Sequence, residues 1–295
     1  MGDRFPHLSA VLQALLVTFL WSTSWVLIRI GLRDIPAVTF AGLRYALAFL
    51  CLLPVVSRPA VLRSLRGLTA RKWGQLVLLG LLFYAVTQGA QYVGLAYLPF
   101  VTVGLLFNFT TVIVALLGIV LLAERPTRLQ WLGVFVNFIG MFVYFYPWSV
   151  SGGQAWALIV VIVGVLANAE SSILGRDINR QRDIDPSAVT LVSMGVGAVL
   201  LLTGGVSFEG LPPLSLTNWA IIGWLAVVNT AFAFTLWNYT LRTLSAMESS
   251  IINSTMLLQV AVLGWVFMGE YLTSQQGVGM VLAGLGGLIV QLRRR

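Results

Sequence analysis

Charged residues in this chain gather in short clusters, and between the clusters run apolar stretches long enough to cross a bilayer. A membrane-spanning helix needs roughly 20 consecutive apolar residues. In lipid no water is available to satisfy a bare backbone N–H or C=O, so such a stretch has little choice but helix. Ten stretches can be placed, at 8–30, 36–56, 73–96, 100–122, 129–147, 155–175, 187–206, 217–240, 247–268 and 274–292. Pro36, Pro59, Pro99, Pro126, Pro147, Pro186 and the pair Pro212 and Pro213 fall between stretches or at their ends, where they punctuate helices rather than break them. Charged residues make up 9% of the chain, against about 25% in a soluble domain. An ordinary water-facing surface is therefore excluded. The lone Cys51 excludes an intrachain disulfide framework and a cysteine metal site. The first stretch is too long for a signal peptide, and no small-residue cleavage site follows it before Arg29 and Arg33.

An even number of spans puts both termini on one side. If that side is the cytoplasm, its segments hold Arg4, the cluster Arg58, Arg63, Arg66, Arg71 and Lys72, then Arg125 and Arg128, Arg176, Arg180 and Arg182, Arg242, and Arg293 to Arg295. These are 15 of the 18 basic residues. Arg29 and Arg33 lie near the outside, and Arg44 lies within a span. The positive-inside rule thus puts both termini in the cytoplasm. It also accounts for the net charge of +8 as topology, so the bilayer is the expected partner and nucleic acid is not.

Residues 91–145 return, loosely, 146 positions later. Glu124 returns as Glu270, Thr127 and Gln130 as Thr273 and Gln276, and Gly133 and Gly140 as Gly279 and Gly286. The Gly-rich turn Ser151-Gly152-Gly153 divides the halves, 1–150 and 151–295. With five spans each, they begin on opposite sides of the membrane. The fold expected is an all-α integral membrane protein of ten transmembrane helices in two inverted five-helix repeats. Such duplicated bundles are most often transporters, because related halves can rock about a shared site.

Thr127 with Gln130, and Thr273 with Gln276, each fit a capping box at the start of the fifth helix of its half. Glu124 and Glu270 sit in turns just before these helices, where the dipole favours a carboxylate. The fifth helices are rich in small residues. Gly279, Ala283 and Gly287 share one face and allow close approach, either within the chain's own bundle or to a second copy.

These features carry a resemblance. Leu20-Trp21-Ser22-Thr23-Ser24 in the first helix, Phe40-Ala41-Gly42-Leu43-Arg44 in the second, and the two Glu-containing turns resemble the drug/metabolite transporter superfamily. The likeness is to its ten-span branch of two EamA-type repeats, and over nearly the whole chain. Within that branch the chain is most similar to bacterial YddG-type aromatic amino-acid exporters. The resemblance implies a multi-pass protein of the inner membrane that exports amino acids, with no cofactor and no nucleotide. Nothing in the second half matches Trp21 or Arg44, so the halves are chemically unequal.

Transporter sites lie near the midplane, and polar side chains there face protein or a water-filled cavity. The third helix draws a polar stripe with Tyr84, Thr87, Gln88 and Gln91, and Tyr92 beside it. Its counterpart in the eighth carries Thr230, Phe234 and Trp237, with Asn238 beside them. The fourth helix offers Asn108 and Thr111 with Phe109 adjacent, the ninth Ser250, Asn253 and Ser254, the first Trp21, Ser24 and Trp25, and the sixth Asn168 and Ser171. For each residue the competing role is an interhelical hydrogen bond that merely holds the bundle. The substrate-binding set expected is Trp21, Trp25, Tyr84, Gln88, Tyr92, Asn108, Phe109, Thr111, Asn168, Trp237, Asn238, Asn253 and Ser254. Trp73, Trp131, Trp148, Trp156 and Trp219 lie at span ends and read as interfacial, whereas Trp21, Trp224 and Trp237 lie deeper. Two ionisable residues fall within spans. Arg44 is placed to meet a substrate carboxylate, cap backbone carbonyls or snorkel outward. Glu170 is placed to take a proton, meet a substrate ammonium or pair with an arginine such as Arg176.

An aromatic-lined, mostly uncharged cavity suits an amphipathic solute with an apolar side chain. The function expected is alternating-access export of amino acids, aromatic and other apolar ones favoured. Efflux of drugs or other small metabolites is the alternative. An enzyme fits poorly, because His7 is the one histidine and no nucleophile elbow, P-loop or dinucleotide fingerprint is present. A channel fits poorly too, for want of a charge ring or filter segment.

Overall fold

The computed structural model describes residues 4–110, 112–114, 117, 127–146, 152–181, 183–241, 243–244 and 246–291. Among them every regular element is a helix. In chain order these are α1 (Arg4–Gly31), α2 (Ala37–Leu52) with a 3₁₀ turn Leu53–Ser57, and the short α3 (Pro59–Arg66). Then follow α4 (Ala70–Tyr97), α5 (Phe100–Asn108), α6 (Arg128–Phe145), α7 (Gly152–Arg180) and α8 (Pro186–Phe208). The last are α9 (Leu216–Thr240), α10 (Ala246–Met268) and α11 (Ser274–Gln291). Glu124, Thr111 and the side chains of Ser250 and Ser254 lie outside what is described.

Among the described residues seven helices, α1, α2, α4, α6, α7, α8 and α9, are long and apolar enough to cross a membrane. The helices α5 and α10 are apolar over shorter lengths. Their outward faces are apolar as well. Phe135, Phe138 and Phe142 of α6, and Ile159, Val163 and Leu166 of α7, are all exposed. A continuous apolar exterior on this scale belongs against lipid tails.

The helix starts follow their sequences. Thr127 accepts from the Gln130 amide while the Gln130 side chain accepts from the Thr127 N–H, closing the capping box of α6. Thr273 and Gln276 do the same for α11, at 3.0 and 3.2 Å. Glu270 differs from expectation. Its carboxylate does not serve the helix that follows it, whose N-terminus the box already closes. It accepts from the N–H groups of Phe100 at 2.7 Å and Val101 at 3.1 Å, at the start of α5. There the N-cap is Pro99, which offers no side-chain acceptor. The start of α2 is alike. Its N-cap is Pro36, without a side-chain bond, and Glu209 from the end of α8 accepts from Thr39 N–H at 2.8 Å. Both helices whose N-cap is a proline are thus capped by a glutamate from the other half of the chain.

The small-residue faces are used within the bundle. The helices α6 and α11 meet backbone to backbone, so that a methyl added at Gly279 would lie 2.6 Å from the Tyr144 nitrogen. Asn137 Nδ2 donates to the Ala283 carbonyl at 2.6 Å. In the same way Gly42 of α2 lies against Leu202 of α8, Gly205 against Thr39, and Gly195 against Phe49, so α2 and α8 run antiparallel. Phe49 and Gly195, like Asn137 and Ala283, stand 146 positions apart. Equivalent residues of the two halves therefore touch each other at both seams.

One backbone feature also repeats. The turn widens to a π-helix at Gly80–Thr87 within α4 and at Val227–Phe232 within α9. Shifted by 146, the first coincides with the second to within one residue at each end. A π turn misplaces the backbone acceptors of the α ladder, and such stretches concentrate at functional sites. In each, a threonine hydroxyl reaches five residues back: Thr87 to the Leu82 carbonyl at 2.8 Å and Thr230 to the Leu225 carbonyl at 2.7 Å.

Candidate substrate site

The π stretches bring aromatic rings of α4 and α9 against α1. The Trp21 ring lies 4.9 Å from Phe234 and 5.2 Å from Trp237. Phe234 in turn touches Phe83 at 5.6 Å and Tyr84 at 5.5 Å, and Tyr84 meets Tyr45 of α2 edge-on. Trp21, Phe83 and Trp237 are only partly buried, while Tyr84 and Phe234 are buried. The cluster draws its rings from both halves. Tilted and edge-on contacts are the favoured geometries of such rings.

Beside it, Arg44 is buried at 2% exposure. Its Nε donates to the Thr230 hydroxyl at 2.7 Å, Nη1 to the Tyr92 hydroxyl at 3.3 Å and Nη2 to the Asn229 carbonyl at 3.4 Å. The guanidinium also stands 5.3 Å from the centre of the Tyr45 ring, a cation–π distance. No carboxylate among the described residues bonds to it. Insertion of an arginine at a span centre costs roughly 2.5–3.5 kcal/mol, and these contacts offset it. Two of its three hydrogen bonds go to the π stretch of α9, whose widened turn supplies the acceptors. Arg44 therefore does not snorkel.

The equivalent positions of the second half repeat this contact in neutral chemistry. Arg44 and Tyr92 correspond, 146 residues on, to Thr190 and Asn238, and Asn238 Nδ2 donates to the Thr190 hydroxyl at 2.7 Å. Asn179 donates to Asn238 Oδ1 at 3.4 Å. Ser22 and Asn168 are likewise equivalent. Ser22 donates to Gln259 of α10 at 2.8 Å, and Asn168 donates to Thr110, just beyond α5, at 3.2 Å. Gln88 and Gln91 differ from all of these. They are buried at 8% and 7% exposure, on the face of α4 between Tyr84 and Leu95, yet neither amide bonds to another described residue.

Of the residues expected from sequence, the structure brings together Trp21, Tyr84, Gln88, Tyr92, Trp237 and Arg44. Others are placed elsewhere. Phe109 packs on Phe138 at 5.2 Å, with Val112 and Val134, because it faces α6 rather than the interior. Trp25 wedges between the edges of Phe100 and Phe107 as part of the core. Asn108 is half-buried, its Oδ1 without a donor and beside Gly287. Asn253 is exposed on α10. Glu170 is exposed on the stripe of α7 that carries Ile159, Val163 and Leu166, so it points away from the bundle. Trp224 is 54% exposed and points outward too. Sequence depth locates a residue along a helix but not around it. Asn229, Thr190 and Phe83 were missed. Phe83 and Asn229 are themselves equivalent positions, and Thr190 is the equivalent of Arg44, so the offset was the available signal.

An aromatic cluster shared between two halves thus stands beside a buried cation and two buried amides that bond to no other described residue. Two segments of the chain, residues 8–146 and 155–292, match the EamA-like transporter family. The chain belongs to that family. Among its relatives, the inner membrane transporter YedA of Escherichia coli K12 is 27% identical over 252 residues, 82% of this chain and 78% of that one. The transporter YoaV of Bacillus subtilis is 22% identical, covering 90% and 91%. A protein of Salmonella typhimurium named "Probable amino-acid metabolite efflux pump" is 28% identical, covering 95% and 93%. One solved crystal structure, 17% identical, superposes with a TM-score of 0.71 over 96% of this chain and 97% of that one. The EamA fold of two repeats and the seven long apolar helices make this a multi-pass membrane transporter.

Proposed function

We propose that this transporter exports amino acids across the bacterial inner membrane by alternating access, favouring those with aromatic or other apolar side chains. The observation that carries the reading is the cluster of Trp21, Tyr84, Phe234 and Trp237, set beside a guanidinium that bonds to no carboxylate among the described residues. A zwitterion with an apolar tail matches those surroundings. The rings take the side chain, Arg44 receives the carboxylate in exchange for a neutral contact, and the buried amides of Gln88 and Gln91 meet the remaining polar atoms. The name of the Salmonella relative is consistent with this class, and that of the E. coli relative with the inner membrane.

In the same reading the chain crosses ten times, as inverted repeats 1–150 and 151–295, with both termini in the cytoplasm. The antiparallel run of the equivalent helices α2 and α8 supports it, since equivalents run antiparallel only when the halves are inverted. No nucleotide motif is present, so the driving force is a gradient. The exposure of Glu170 favours a carrier driven by its substrate's own gradient over one that uses Glu170 for protons.

The test is flux into proteoliposomes containing only this protein, across a panel of amino acids. Flux of aromatic and apolar members above protein-free vesicles is expected. Absence of flux for every amino acid, with transport of lipophilic cations or other metabolites, would replace the reading with drug or metabolite efflux.

A further inference from the structure

The short helix α3 directly follows an apolar span and has two unlike faces. Val61, 1% exposed, packs with Leu76 and Leu79 of α4, Ile178 of α7, and Ile184, Ala188 and Val189 around the start of α8. Leu65 and Leu68 lean on the same cluster. On the other side Arg63 and Arg66 are exposed, and so are Arg58 just before the helix and Arg71 just after it. None of the four has an acidic partner among the described residues. Arg63 Nε donates to the Pro59 carbonyl at 3.3 Å, and Arg58, Arg66 and Arg71 bond to no other described residue. The neighbouring acids are engaged elsewhere. Asp183 holds Lys72 at 2.9 Å, Asp177 accepts from Gln181 at 3.0 Å, and Asp185 accepts from Ser187 N–H at 2.9 Å.

Topology requires only that positive charge lie on one side. It does not require that the arginines be free of acids, or that they ride on an amphipathic helix pinned by its apolar edge. A pinned helix of this kind lies at headgroup depth, where guanidinium groups bind phosphate oxygens bidentately. Clusters of four or more basic residues beside a span attract anionic lipid. We propose that α3 and its flanking arginines form a docking surface for the phosphate headgroups of anionic phospholipids. It uses no residue of the aromatic cluster, so it stands whatever the transported solute is.

The test is native mass spectrometry of the purified full chain, titrated with phosphatidylglycerol or phosphatidylcholine. Phosphatidylglycerol should bind about tenfold tighter, with the difference shrinking in high salt. The variant R63Q/R66Q should weaken phosphatidylglycerol binding about fivefold or more while leaving phosphatidylcholine binding and the melting temperature unchanged. The charge-conserving R63K/R66K should retain most of the preference. Equal binding of the two lipids, or a preference untouched by R63Q/R66Q, would overturn the proposal and leave the arginines as topology signals alone. Should R63Q/R66Q fail to fold, Arg71→Gln, exposed outside α3, is read by the same criteria.

Discussion

Arg44 places a permanent charge where two helices of the first half meet a π stretch of the second, and its planar fork reaches three acceptors at once. Lysine keeps the charge but has no fork. Arg44→Lys is therefore expected to lose on the order of 1–3 kcal/mol of interaction, read as a lower melting temperature and at least a tenfold fall in proteoliposome flux. Unchanged flux would separate Arg44 from the site. The ring of Trp21 makes the opposite kind of contribution, area without charge. Trp21→Phe should keep flux within a few-fold, whereas Trp21→Ala should raise the half-saturating concentration of aromatic substrates more than that of small ones. An equal rise for both would mean the ring supports the fold only. These residues were legible because an arginine and a tryptophan deep in a span stand out in any apolar sequence. Glu170 stood out for the same reason and proved exposed, since its angular position depends on packing that the sequence does not display.

At the level of helices, the capping boxes were legible and the inter-repeat caps were not. A box is local, four residues read in a row, whereas the bonds from Glu270 to Phe100 and from Glu209 to Thr39 span 170 positions. The clue lay in the helices that lack a cap, since Pro36 and Pro99 leave early N–H groups with no local acceptor. Removing a cap typically costs 0.5–2 kcal/mol, about 1 in most cases. Glu270→Ala should lower the melting temperature by a few degrees and speed hydrogen exchange at Phe100 and Val101, with Glu270→Gln intermediate. Exchange unchanged at those two amides would show the contact to be incidental. The glycines of α11 allow a sharper comparison on one helix. Gly279 faces the Tyr144 backbone, while a methyl at Gly277 would meet nothing within 4 Å. Gly279→Val should abolish a monodisperse peak in size-exclusion chromatography, and Gly277→Ala should leave it intact. The π stretches had no signature at all. One residue too many in a helical turn changes neither composition nor hydropathy.

For the molecule as a whole, the offset of 146 carries further than the polar and glycine matches that first revealed it. It pairs Arg44–Tyr92 with Thr190–Asn238, Ser22 with Asn168, and one π stretch with the other. Geometry is thus inherited by both halves while chemistry is not. An inverted arrangement puts the ends of the equivalent helices α2 and α8 on opposite membrane faces. Single cysteines at Ala60 and Leu211, both exposed, should be labelled by an impermeant thiol reagent from opposite sides once Cys51 is replaced by alanine. Labelling of both from one side would remove the inversion.

The contact of α6 with α11 has a mechanical meaning. Where Gly133, Gly140, Gly279 and Gly286 bring backbone against backbone, there is little interdigitating side-chain layer that could re-register by a notch. The seam resists slip like two keyed surfaces. It also lies where equivalent residues Asn137 and Ala283 touch, which in the proposed inverted arrangement is the line about which one half maps onto the other. A swing that widens one mouth of the bundle and narrows the other leaves points on that line in place. In the alternating access proposed above, the seam would serve as the fulcrum of a see-saw, and the helices that carry the aromatic cluster, α1, α4 and α9, would do the travelling.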